Sequence, residues 1–181
     1  LHDTGAVQRG HFRLSSGRHS DVFVQKFRLF ERPRLTRALG AALAAAQHAD
    51  FDVVASPAVG AIPLGFAVAL AADARFVFAE RAGSSLEFRR GFGVGQGERV
   101  RVIEDVVTTG GSAREVCDLV GAQGAEITGV GALIDRSDGR MLELPAPFVA
   151  LLHIDAPAWD AATCPLCARG QALDDPGSRR L

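Results

Sequence analysis

The 181-residue sequence predicts one α/β domain, a central parallel sheet flanked by helices with an N-terminal hood and a mobile lid loop. Three observations carry this expectation. Short apolar runs alternate with helical segments between residues 33 and 153, the pattern of parallel strands joined by crossover helices. Apolar residues make up 48% of the chain and charged residues 23%, the balance of a folded globular domain and not of a disordered one. The length suits one core and is short for two catalytic domains with a linker.

Residues 9–30 alternate apolar and polar positions (Phe12, Leu14, Val22, Val24) around Ser15-Ser16-Gly17, a hairpin that would form the hood within residues 1–30. Leu35, Leu39 and Leu43 recur every four residues in 33–48, and Pro33 suits the first turn of a helix there. A brief strand over 51–55 ends at Ser56-Pro57 and leads into a glycine-punctuated apolar helix over 61–72. Strands follow at 75–79, 99–104, 127–134 and 148–153, with a helix over 111–123. Between the second and third strands, residues 83–97 carry five glycines around Arg89 and Arg90, which reads as a mobile loop able to close on an anion. From 156 to 181 the prolines and small residues predict an irregular tail, anchored by Trp159.

Twenty basic residues nearly cancel twenty-one acidic ones, so no global field would hold nucleic acid or an anionic membrane, and any anion site must be local. Lys26 is the only lysine; every other basic residue is a planar, permanently charged arginine. No apolar run is long enough for a membrane span and no signal-peptide pattern opens the chain, so a cytoplasmic protein is expected. Leu1 is not a methionine, and a few residues are expected to precede it. The odd number of cysteines, Cys117, Cys164 and Cys167, predicts reduced thiols.

The segment Glu104-Asp105-Val106-Val107-Thr108-Thr109-Gly110-Gly111-Ser112 concentrates the chemistry. Glycines let the backbone approach a ligand, amides at a helix start point at an anion, and Thr108, Thr109 and Ser112 add hydroxyl donors. This suits a phosphate monoester. It lacks the lysine of an ATP-binding loop and the glycine spacing of a dinucleotide site. Glu104 and Asp105 stand just before the cradle, where carboxylates can accept hydrogen bonds from vicinal hydroxyls, so a phosphorylated ribose fits. Each feature alone is commonly structural, a strand end or a helix cap.

In this order, the segment resembles the 5-phosphoribosyl 1-diphosphate motif of the type I phosphoribosyltransferases. Residues 10–20 resemble the hood of the orotate phosphoribosyltransferases, and Glu80-Arg81, residues 86–92 and Asp135-Arg136 resemble their loop and base-binding regions. Residues 164–170 are similar to one bacterial subgroup of that family. The resemblance implies the type I phosphoribosyltransferase fold and a Mg2+-dependent pentosyl transfer from 5-phosphoribosyl 1-diphosphate to orotate in pyrimidine biosynthesis, giving orotidine 5-monophosphate. It further implies ribose contacts at Glu104 and Asp105 and a phosphate cradle over residues 106–112, Val106 and Val107 included. Arg81 and the loop at 57–60 would hold the diphosphate; Thr108, Arg136 and Phe23 would bind orotate. Arg89, Arg90 and Asp105 would be the catalytic residues. The chain departs from the family at Gly60, Ala82 and the loop, where lysines are usual. Arginine is a poor acid, so the loop cations Arg89 and Arg90 would act electrostatically.

Magnesium is expected to arrive with the substrate, without a protein cage. A homodimer follows from the resemblance, and no nucleic-acid or membrane partner is expected. The rival readings are a purine-type phosphoribosyltransferase, which would not need the hood or Arg136, and a non-catalytic regulator of the same fold that binds nucleic acid, which the net charge of −1 disfavours. Cys164-x-x-Cys167 supplies only two of the four ligands of a zinc site, with His153 or a symmetry-related pair needed to complete it, so a pair of reduced thiols is expected, with zinc at Cys164 and Cys167 the alternative. Cys117 reads as core, and His11 and His19 as satisfied turn histidines.

Overall fold

The computed structural model describes residues 4–14, 16–137 and 142–176. In chain order its elements are β1 (Val7–Arg13), β2 (His19–Val24), α1 (Phe27–Phe30), α2 (Pro33–Ala45), β3 (Val53–Pro57), α3 (Ile62–Ala72), β4 (Arg75–Ala82), β5 (Ser85–Phe88), β6 (Arg99–Val107), α4 (Gly111–Ala122), β7 (Glu126–Asp135), β8 (Phe148–His153), β9 (Ala158–Trp159) and α5 (Pro165–Ala168). They fall into two compact units, Phe30–Ile154 and the pair of segments Leu1–Leu29 and Asp155–Leu181. Hood and tail, read separately from the sequence, thus form one unit. Among the described residues, no helix is long and apolar enough to cross a membrane.

The larger unit is a six-stranded sheet in the order β5-β4-β3-β6-β7-β8. Every neighbouring pair is parallel except β4 and β5. All five residues of β3 are buried, as expected of a parallel strand covered on both faces. Val53, Ala55 and Val102 of the sheet join Val116, Cys117 and Val120 of α4 in one apolar cluster. Cys117 is core, as predicted, and burial pushes its thiol up to about 12. Pro33 opens α2, whose buried residues are Thr36, Gly40 and Leu43, while Leu35 and Leu39 are only half-buried. The stripe is displaced because α3 approaches at Gly40: a Cβ there would lie 2.5 Å from Ala67.

Two sequence expectations need correction. Residues 83–97 do not form one loop: β5 pairs antiparallel with β4, with Arg81 opposite Leu86. Leu86 is buried, and Phe88, Phe92 and Val94 pack against the core, so a short alternation hidden between glycines is enough to add an edge strand. Val94 N–H also donates to Gln123 Oε1 at 2.8 Å. Second, β6 continues to Val107, because its ladder with β7 runs on to Val107 opposite Asp135; Glu104 and Asp105 therefore lie inside the strand and not at its end.

The smaller unit holds the antiparallel sheet β1-β2-β9. The turn of its hairpin is closed by Leu14 N–H to Arg18 O and Gly17 N–H to Leu14 O, each 2.8 Å, with Gly17 at φ +80°; Ser15 of the predicted turn lies outside the described residues. The tail is more regular than its composition predicts. Trp159 in β9 pairs with His19, a single 3-10 turn spans Ala161–Thr163, and Asp174 exchanges backbone hydrogen bonds with His11 and Arg13. Edge pairing supplies order that its prolines and small residues do not signal.

Candidate active site

The chain leaves β6 at Val107, bends through Thr108-Thr109-Gly110 and enters α4. Gly110 caps that helix at φ +77°, a conformation that side chains rarely tolerate, and no side chain caps the first turn. The first amides of α4 have no partner within the helix, and the helix dipole adds positive potential where they point. Thr108, Thr109 and Ser112 are exposed around them. A cleft of about 50 Å³ is lined by Glu104 and residues 106–113, so the predicted phosphate cradle and one predicted ribose carboxylate share one surface. Glu104 Oε1 accepts from Asp105 N–H at 2.9 Å. Asp105 is buried beside it in the strand and is not among the lining residues.

Arg136 sits one residue beyond β7, and its N–H donates to Val107 O at 2.7 Å, which docks it beside the start of the cradle. Asp135 turns the chain there: its Oδ1 accepts from Ser137 N–H at 2.7 Å. Burial alone would raise the Asp135 carboxyl; the Ser137 bonds and His153 outweigh it and hold the group below the usual range. Burial also pushes the Arg136 guanidinium down, and it forms no salt bridge among the described residues. A half-buried cation with no salt bridge among the described residues, beside an anion cradle, is placed to receive a carboxylate.

The other predicted cations are differently placed. Arg81 forms a two-pronged pair with Glu115 of α4, at 2.6 and 3.2 Å. Arg90, at φ +59°, grips Glu80 through Nε at 2.8 Å and Nη2 at 3.0 Å and lowers its carboxyl from the ordinary value. Arg89 forms no salt bridge among the described residues. The loop at 57–60 follows β3, with Val59 exposed and the Ala58–Val59 peptide cis. Phe23 belongs to the smaller unit, where its ring stands 5.6 Å from that of Phe12. His153, considered as a zinc ligand, instead bonds Asp135 at 3.4 Å. Cys164 and Cys167 meet His11 and His19, which are expected from the sequence as satisfied turn histidines and instead lie buried within β1 and at the first residue of β2. Spacing does not mark Glu115 or Glu80 as arginine partners, since Glu115 is on α4 and Arg81 on β4, while Glu80 is on β4 and Arg90 beyond the end of β5.

A phosphoribosyl transferase domain matches residues 33–160. Along its whole length the chain is 46% identical to the orotate phosphoribosyltransferase of Thermotoga maritima, covering 97% of that protein. Over 97% of the chain it is 43% identical to that of Caldanaerobacter subterraneus, covering 92% of that protein. In structure it is similar to orotate phosphoribosyltransferase from Aeropyrum pernix, with a TM-score of 0.71 and 25% identity over 85% of this chain and 91% of that one. The match runs through hood, cradle and tail alike, and the chain belongs to the orotate phosphoribosyltransferase family.

Proposed function

We propose that this protein transfers the 5-phosphoribosyl group of 5-phosphoribosyl 1-diphosphate to N1 of orotate, releasing diphosphate and giving orotidine 5-monophosphate for pyrimidine biosynthesis. The observation that carries it is the single cleft joining Glu104 to the uncapped amides of residues 108–112. The cradle takes the 5-phosphate, and Glu104 with Asp105 takes the ribose hydroxyls. Thr108 and Arg136 receive orotate, the guanidinium matching its carboxylate with two parallel hydrogen bonds. For Phe23, orotate contact is what the family resemblance alone implies.

In the reaction the C1–O bond to diphosphate breaks, its electron pair leaves with diphosphate, and N1 of orotate bonds to C1 as its proton is released. Negative charge grows on the leaving group. Arg81, the amides of the loop at 57–60 and the lid arginines Arg89 and Arg90 oppose that charge by position, and no covalent nucleophile is needed. Arg81 exchanges Glu115 for the diphosphate to do so. Among the described residues, no three His, Cys, Asp or Glu side chains converge at this cleft; a Mg2+ ion, which takes oxygen ligands and retains waters, would fit as part of the donor substrate, near Glu104, the carboxylate that lines the cleft. When bound it neutralises the departing diphosphate.

We further propose a homodimer in the cytoplasm. Phe66 and Leu70 of α3 are 57% and 64% exposed at the rim of an apolar cavity of about 400 Å³, a face that a second copy would cover. The three free cysteines suit a reducing compartment. Sedimentation at micromolar concentration tests the dimer. The decisive assay follows the fall of orotate absorbance on adding phosphoribosyl diphosphate and Mg2+, with adenine, hypoxanthine and uracil in parallel. Turnover of orotate alone supports the assignment; turnover of a purine, or of none of the four, overturns it.

A further inference from the structure

We propose that His11, His19, Cys164 and Cys167 form a structural Zn2+ site that clamps the β1–β2 hairpin to the C-terminal segment within the smaller unit. The four ligand atoms come from β1, the first residue of β2, the residue that caps α5 and the third residue of α5, yet all lie within 4.8 Å of one another. His11 Nε2 is 2.9 Å from His19 Nδ1, 3.5 Å from Cys164 Sγ and 3.7 Å from Cys167 Sγ. Cys167 Sγ is 3.3 Å from His19 Nδ1. A tetrahedral zinc centre with ordinary Zn–N and Zn–S bonds has edges of about 3.4 Å between nitrogens and about 3.6 Å between nitrogen and sulfur. The cluster is within a few tenths of an ångström of that figure along each of these edges, about half an ångström for the two nitrogens.

The protonation pattern favours a cation over a web of hydrogen bonds. His11 Nδ1 lies 2.8 Å from Gln171 O, an acceptor, so that nitrogen carries the proton and Nε2 presents its one lone pair to the cluster. Three groups, His19 Nδ1 and both sulfurs, crowd around that lone pair. One lone pair serves one donor well; a metal ion at the centre serves all four groups at once. Histidine ligands characteristically donate their second ring nitrogen to a carbonyl or carboxylate, the contact that Gln171 provides.

Two imidazoles and two thiolates in a tetrahedron select zinc over magnesium or calcium, which prefer oxygen, and four protein ligands leave no open position for catalysis. The role is structural. Apart from the ligands, the buried apolar side chains described in this unit are Ala6, Phe12, Val22, Val24, Leu29 and Leu166, a small core of the kind that a metal commonly supplements. Both cysteines are free, as the site requires.

The test uses the full chain, stripped with a chelator and reloaded with Zn2+ or Co2+. We expect about one Zn2+ per chain retained through gel filtration, with a rise in unfolding temperature on reloading. The Co2+ form should show the intense visible bands of a tetrahedral ion and a near-ultraviolet thiolate charge-transfer band. Cys167 is the one exposed ligand, so Cys167→Ser should keep the far-ultraviolet circular dichroism of the parent. It should bind Co2+ at least about tenfold more weakly and lose charge-transfer intensity. Zinc retention below about 0.1 per chain, a weak octahedral cobalt spectrum, or a Cys164–Cys167 disulfide in freshly prepared protein would each overturn the proposal.

Discussion

The cradle between β6 and α4 and the arginines of residues 81–90, both proposed to hold anionic oxygens, would do so by opposite means. The cradle offers backbone amides whose direction is set by the turn at Gly110 and by the start of α4. It is ready before any ligand arrives. Arg81 and Arg90 are long side chains already holding Glu115 and Glu80. They must change partners to serve a substrate. The difference separates a preorganised binding subsite from one whose use is coupled to rearrangement.

The sharpest way to break the comparison is at Gly110. Valine there must adopt φ +77° and brings a Cβ to 3.3 Å from Leu142 Cδ2, so the amides turn away from their common focus. Gly110→Val should lower kcat/KM for phosphoribosyl diphosphate at least about 100-fold while circular dichroism stays native. Ser112→Ala, which removes one hydroxyl and no amide, should cost only about threefold to tenfold. Equal losses from the two would mean that side chains and not backbone make the cradle.

Arg136 tests an intermediate case, a side chain with no salt bridge among the described residues. Arg136→Ala should raise KM for orotate about 10- to 100-fold and leave KM for the donor within about twofold, the loss of a charge-assisted pair of hydrogen bonds. Equal weakening of both substrates would remove it from the orotate site. Next come the two arginines just beyond β5. Arg89, which has no salt bridge among the described residues, should lose more turnover on change to alanine, about tenfold or more, than Arg90, which is held by Glu80. Parent-like rates in Arg89→Ala would sink its part in leaving-group stabilisation.

The same contrast explains what was legible. The cradle is contiguous in sequence and its chemistry is local, so Thr108 to Ser112 could be read in one pass; β3, β6, β7 and β8 were visible because parallel strands are nearly unbroken apolar runs. β5 was missed because its alternation lasts only four residues between glycine-rich flanks. Groups assembled from distant segments leave no such trace. Cys164 and Cys167 are audible as a pair, but their partners His11 and His19 lie about 150 residues away and are brought near by β9 pairing with β2 and by the Asp174 bonds to β1. Arg101 was likewise invisible: fully buried in β6, it donates to the carbonyls of Ala44, Gln47 and Ala49 and stacks 4.1 Å over Phe51, an arginine used to close the end of a helix. Only the folded chain pairs those groups.

The smallest predicted effect probes the exchange at Arg81 directly. If the Glu115 pair competes with diphosphate, removing the competitor should help the substrate. Glu115→Gln keeps the size of the side chain and removes its charge, so the two-pronged ion pair falls to a neutral hydrogen bond beside Arg81's bond to Ser84 O at 2.9 Å. The pair is exposed on both sides, and such pairs contribute about 0.2 to 1 kcal/mol, so release should lower KM for phosphoribosyl diphosphate by about 1.5- to 5-fold. Salt provides the control. Screening weakens an exposed pair, so the advantage of the variant over the parent should shrink as ionic strength rises. An advantage that persisted unchanged at high salt would mean that Glu115 acts by shaping α4 and not by occupying Arg81, and the arginine would then belong with the preorganised half of the site.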